Sequence, residues 1–144
     1  MLLAAAVALA GCGSNQDIRD FSLRELTLPS GKEIKFEGLR TPTDMARGAM
    51  FRDSLPPGRG LMYEYAKPGR YSMWMYQTKI PLDTIWMNQN RQVVEIVEKM
   101  PPCPSASARE CPHYGGNQDA QFVLQLASGE SAKNNITVGS TLNF

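Results

Sequence analysis

A chain of 144 residues with 42% apolar and 20% charged side chains is long enough to bury one sizeable core and too short for two ordinary domains. Its 15 Lys and Arg against 14 Asp and Glu leave a net charge of +1, which supplies no long-range field toward nucleic acid and excludes that class of partner. The composition also excludes a disordered or fibrous chain, and no internal repeat is present.

Leu2 to Ala10 is an uninterrupted apolar run, long enough for the core of a signal peptide and well short of the ~20 residues a spanning helix needs. It runs into Leu9-Ala10-Gly11-Cys12. Small residues before a cysteine let an extended chain enter a peptidase cleft, and the thiol takes a diacylglyceryl group, so this segment is similar to the bacterial lipobox. The basic residue that usually precedes such a core is absent, as expected if translation begins further upstream. The organisation read from this is a signal peptide over 1–11, a lipid-anchored tether over 12–17 and a folded domain over 18–144. The expected location is outside the cytoplasm, with the membrane as partner through Cys12.

Phe21 to Leu28 and Glu33 to Glu37 alternate apolar and polar residues around Pro29-Ser30-Gly31, the pattern of a β-hairpin with one buried face. Thr41-Pro42-Thr43-Asp44 starts a helix: Thr41 caps free backbone N–H groups, Pro42 suits the first turn and Asp44 complements its positive end. The helix is expected to run to about Met50, with Met45, Ala46, Ala49 and Met50 on one face. Arg52 to Gly60 contains Pro56-Pro57-Gly58 and is loop.

Strands are expected over Leu61–Tyr65, Tyr71–Tyr76, Leu82–Met87 and Arg91–Met100, with turns at Lys67-Pro68-Gly69 and Asn88-Gln89-Asn90. Pro101 to Asp119 is a long Pro- and Gly-rich loop. Phe122–Ala127 makes another strand, Gly129–Asn135 a helical turn and Val138–Phe144 a closing strand. The sum is a β-rich α+β fold, a single compact domain with a small barrel-like or sandwich-like sheet and one or two short helices.

Of the three cysteines, a lipid on Cys12 leaves Cys103 and Cys111 as an even pair. In an oxidising compartment they are expected to form a disulfide worth ~2–3 kcal/mol on the chain-entropy model. The rival is a metal site of Cys103, Cys111 and His113, which lacks a clear fourth ligand. The methionines form no Met-rich tract for copper and read as core gap-fillers. No cofactor or metal is therefore expected.

Between Arg47 and Asp83 stands an ordered series: Arg47-Gly48-Ala49-Met50-Phe51-Arg52, Ser54-Leu55-Pro56, Gly60-Leu61-Met62, Met73-Trp74-Met75, Gln77-Thr78 and Ile80-Pro81-Leu82-Asp83. It continues through Val93-Val94, Gln121-Phe122-Val123-Leu124 and Val138-Gly139. This series resembles the domain of unknown function family 192 (DUF192), also catalogued as an uncharacterised protein family, over about Leu39 to Phe144. The chain departs from the family pattern at Ala49, where Gly-Leu-Met is usual, and at Tyr76-Gln77-Thr78, where Lys-Asn-Thr is common. The resemblance implies a small β-rich fold often found in exported proteins and implies no established activity.

The candidate binding residues are Arg47, Arg52, Trp74, Gln77, Thr78 and Asp83. Arg47, Arg52 and Asp83 read either as a structural ion-pair network with a strand cap or as a recognition site in which a guanidinium forks a carboxylate or phosphate. Trp74 with Tyr71 and Tyr76 reads as an aromatic platform, although alternation sends Trp74 and Tyr76 one way and Met73 and Met75 the other, one face being core. Trp86 is expected to join that core. With a single histidine and no recognisable nucleophile motif, the leading function is a non-catalytic binding domain for a small polar ligand, glycan or envelope polypeptide. The alternatives are a hydrolase-type enzyme using Asp83 with Arg47 or Arg52, and a structural envelope component. The anchor has a direct test: the wild-type chain should partition with membranes and Cys12→Ser should release it, whereas a wild type that stays soluble would remove the lipoprotein reading.

Overall fold

The computed structural model describes residues 23–144; the apolar leader, Cys12, the tether and Phe21 lie outside them. Strands β1 (Leu23–Thr27) and β2 (Glu33–Leu39) form the expected hairpin, with Leu26 opposite Ile34. Helix α1 (Pro42–Arg47) follows, and Thr41 caps it by accepting the Asp44 N–H at 3.1 Å. It stops before Met50 because Gly48 turns to φ 41°, and the Tyr63 hydroxyl occupies the space a Cβ there would need. Residues 40–58 carry the chain from β2 to β3 (Arg59–Gly69), a crossover long enough to make these strands parallel.

The remaining elements are β4 (Met73–Trp74), β5 (Leu82–Met87), β6 (Val93–Met100), β7 (His113–Tyr114), β8 (Ala120–Ala127) and the short helix α2 (Glu130–Lys133). Six strands form one sheet in the order β1-β2-β3-β8-β5-β6, antiparallel except at β2/β3, while β4 and β7 pair separately. The C-terminal residues join the two ends of the sheet, Asn143 bridging Thr27 of β1 and Thr141 bridging Gln92 before β6. The fold is thus the barrel-like β-rich α+β domain expected.

Other local expectations also differ: the strand β3 begins at Arg59, inside the stretch expected as loop. Residues 138–144 form no strand: they cross between two sheet edges and can spare only one bridge to each. Lys67-Pro68-Gly69 is not a free turn but the end of β3, where a register shift between Glu64 and Gly69 absorbs the proline. Of Tyr71–Tyr76 only Met73–Trp74 is a strand, because its partner β7 is itself two residues long.

Side chains alternate across the central strands, and both faces are covered. Phe36, Met62, Ile85, Met87, Leu124 and Leu126 pack into one core with Ile136 and Leu142 from the C-terminal segment. Leu61, Tyr63, Leu82, Trp86 and Val123 project to the opposite face, beneath Ala49, Leu55, Met73 and Met75. Every residue of β5 is buried. The Cys103–Cys111 disulfide staples the long loop that carries β7, which also consumes both thiols of the alternative metal site.

Asp83 is the second residue of β5, fully buried, and its partners are backbone N–H groups and one serine hydroxyl rather than arginine. Oδ1 accepts the Lys99 N–H at 2.9 Å, while Oδ2 accepts the Gly129 and Ser131 N–H groups at 2.9 Å and the Ser131 hydroxyl at 2.7 Å. One carboxylate therefore ties β5 to β6 at the irregularity beside Thr84 and to the start of α2. Burial pushes its pKa up, but these donors more than offset that and hold it below the usual carboxylate range. A folded-state pKa below the unfolded one contributes stability above pH ~4 that is lost as pH falls through the folded value. Asp83→Asn should cost about 3 kcal/mol or more at neutral pH and flatten the acid limb of the unfolding profile, as measured by urea denaturation across pH 2–7. An unchanged midpoint would remove this role.

Candidate functional site

The covering of the second sheet face is incomplete, and a pocket of about 270 Å³ opens between α1 and the β4 strand. Its floor is made by Tyr63 of β3 and Gln125 of β8. The Tyr63 hydroxyl donates to Gln125 Oε1 at 3.1 Å and receives the Ala49 N–H; Gln125 Nε2 reaches Thr84 Oγ1 at 3.5 Å. Polar groups that deep need partners, and this chain of bonds satisfies them while pinning the segment after α1 onto the sheet.

One wall is α1. None of its residues is buried; of the expected apolar face, Met45, Ala46 and Met50 line the pocket, Met45 also packing against the core, while Ala49, beyond the helix, is buried in that core. The other wall is the β4 segment. Met73 and Met75 point into the core, leaving Trp74 38% exposed on the pocket side with Tyr76 at 5.7 Å and His113 at 5.6 Å between ring centroids. The stapled loop holds this wall: Cys103 exchanges backbone hydrogen bonds with Met75 and Gln77 at 3.1 and 3.2 Å, and β7 places His113 opposite Trp74. Trp86 lies in the core beneath and its Nε1 donates to the Tyr71 carbonyl at 2.7 Å.

Tyr65 stacks flat on Tyr71, centroids 3.5 Å apart, and burial with that neighbour pushes its pKa up to about 12. Burial likewise raises Tyr63, so both phenols stay neutral hydrogen-bonding groups at ordinary pH. The Ser72 hydroxyl shares a hydrogen bond of 3.1 Å with His113 Nδ1. Among the described residues no carboxylate hydrogen-bonds the other ring nitrogen, so no triad is assembled.

The six residues singled out from the sequence divide between the pocket and the framework. Arg47, Trp74 and Thr78 line the pocket. Arg52 does not: its Nη1 and Nη2 fork the Glu37 carboxylate at 2.9 and 2.8 Å and its Nε donates to the Gly48 carbonyl at 3.3 Å. The Glu37 bond holds the guanidinium pKa above its ordinary value against the opposing effect of burial. Gln77 is also framework, in the left-handed region at φ 53°, accepting the Phe51 N–H at 3.0 Å and donating from Nε2 to the Ser105 carbonyl at 3.1 Å. Asp83 lies among the backbone donors described above, and the expected Asp–Arg network is absent among the described residues.

The sequence reading missed Tyr63, Tyr65, Gln125, Ser72 and His113 as pocket residues. Gln125 had a signal: an amide inside an otherwise apolar strand must find a buried partner. Among the described residues no group of three or more His, Cys, Asp or Glu is placed to hold a metal ion.

Fold and pocket together define a small barrel-like domain whose sheet is roofed on one side by short segments around a semi-open cleft. The chain belongs to the DUF192 family, described as an uncharacterized ACR, whose model matches residues 26–144. A solved protein of unknown function from Novosphingobium aromaticivorans DSM 12444 is similar at 26% identity and a TM-score of 0.73, covering 85% of each chain. A candidate transcription regulator from Sinorhizobium meliloti 1021 shares the fold at 22% identity and a TM-score of 0.70, over 83% of this chain and 89% of that one. No curated protein matches.

The two arginines should separate on mutation. Arg52→Ala removes a two-point ion pair and a carbonyl contact, for an expected loss of ~1–2 kcal/mol. Arg47→Ala should stay within ~0.5 kcal/mol of wild type, because its side chain is exposed. Thermal unfolding of the two variants checks the assignment, and equal losses would refute it.

Proposed function

We propose that this protein is a non-catalytic binding domain, held outside the cytoplasm by lipid on Cys12, that receives a small polar ligand or one unit of a glycan in the pocket between α1 and Trp74. The observation that carries the reading is the partly exposed Trp74 ring at the wall of a concave site with a satisfied polar floor. Cores bury such rings; an indole left at a pocket mouth offers a flat apolar face to a ring-shaped ligand. Aromatic and thioether walls with a few convergent polar groups suit recognition.

The hydrolase alternative loses its acid–base group, since Asp83 is fully buried, held ionised and occupied by four donors. The location is supported by the leader with its Cys12 and by the Cys103–Cys111 bridge, a bond that persists in oxidising compartments.

The test uses intrinsic fluorescence. Trp74 and Trp86 are the two indoles, and Trp86 is buried, so a pocket ligand should perturb Trp74 emission. Screening monosaccharides and small organic acids against the full chain should yield a ligand whose signal vanishes and whose Kd rises about tenfold or more in Trp74→Leu, with Tm little changed. A ligand that binds Trp74→Leu as tightly as wild type would place the site elsewhere.

A further inference from the structure

We infer that the pocket selects a six-membered ring carrying a carboxylate, an inference that rests on the pocket being the binding site. Charge supports this first. The chain holds nearly equal numbers of acidic and basic residues, yet the pocket lining includes Arg47 and His113 and no Asp or Glu. A cationic ligand would find no counter-charge there, whereas an anion would find a guanidinium.

Arg47 is suited to that task in a way the other arginine is not. Arg52 is committed to Glu37, while the Arg47 guanidinium makes no ion pair or hydrogen bond with any other described residue and stands exposed at the end of α1, where the pocket opens. A free planar guanidinium presents two parallel N–H groups that match the two oxygens of a carboxylate. A single such group balances one negative charge, which favours a carboxylate over a phosphate dianion.

Size and shape supply the ring. A volume of about 270 Å³ lies just below the ~300 to 1,000 Å³ of drug-sized ligand pockets, and it admits one ring with its substituent rather than an oligomer. The exposed Trp74 ring gives a flat apolar contact, the Tyr76 ring closes on it at a tilt of 51°, and Ser72, Thr78 and His113 provide short polar contacts around it. A hexuronic acid and an aromatic acid share this chemistry: one flat or pleated face, one carboxylate.

Two matched pairs distinguish these sources by calorimetry on the full chain: glucuronate against glucose, and benzoate against benzyl alcohol. In at least one pair the acid should bind about tenfold or more tightly than its neutral partner, the effect of one charge-assisted hydrogen-bonded contact. The pair that responds identifies the source. Arg47→Gln should bring that ratio close to one without moving the neutral partner or Tm, and Trp74→Leu should weaken acid and neutral partner alike. An acid no tighter than its neutral partner, or a preference that survives Arg47→Gln, overturns the inference and leaves the pocket reading standing. If neither acid binds, the inference also falls, and the pocket reading then stands or falls on the fluorescence screen.

Discussion

The central strands β3, β8 and β5 bury side chains on both faces, and this double burial shapes everything around them. One face is roofed by the curl of the sheet and the C-terminal segment, which bridges its two ends. The other face has only the two-residue strands of the β4/β7 ribbon and, among the described residues, no long helix to cover it. Leu61, Trp86 and Val123 must still be kept from water, and the chain does so with α1, the residues after it, the β4 segment and the stapled loop. Short pieces pack less completely than a sheet, and the gap between two of them is the pocket.

Polar groups inside this arrangement do the work of attachment. Asp83 gathers four donors from two other stretches of chain, so a charge that would be costly if unpaired becomes a joint between β5, β6 and α2. Tyr63 does the same on the pocket side, linking the residues after α1 to Gln125 through its hydroxyl. Gly48 is needed there because the phenol takes the place of its side chain. The Arg52–Glu37 fork adds a tie from the same segment to β2. With its base secured by these contacts, α1 can leave its own residues unburied along the wall of the pocket.

The opposite wall depends on a different kind of tie. Cys103 and Cys111 close a short loop that pairs with Met75 and Gln77 at Cys103, and the β7 strand just after Cys111 pairs with Trp74. A two-stranded ribbon is marginal by itself. The covalent staple, together with the buried Met73 and Met75 beneath, holds the exposed face of Trp74 in place. Rigid placement of an aromatic face lowers the ordering cost of binding. The same loop brings His113 to the pocket edge.

What the sequence by itself determined is local. Alternation marked the hairpin of β1 and β2 and the faces of Met73, Trp74 and Met75; strand-forming residues marked β5; Thr41-Pro42 marked the start of α1; an even cysteine pair marked the staple. These features depend on neighbours in the chain, so their period or chemistry can be read without knowing what lies across from them. The tertiary structure decided which polar residue serves which purpose. Arg47 and Arg52 stand five positions apart with the same side chain, and only the presence of Glu37 beside one of them commits it to the framework. Asp83 follows a proline and a leucine in a strand, and nothing near it in sequence announces that Lys99, Gly129 and Ser131 will converge on it. Tyr63, Gln125 and His113 come to one pocket from three separate strands. A side chain's role is set by the partners that satisfy or fail to satisfy it, and those partners are chosen by packing over long sequence separations.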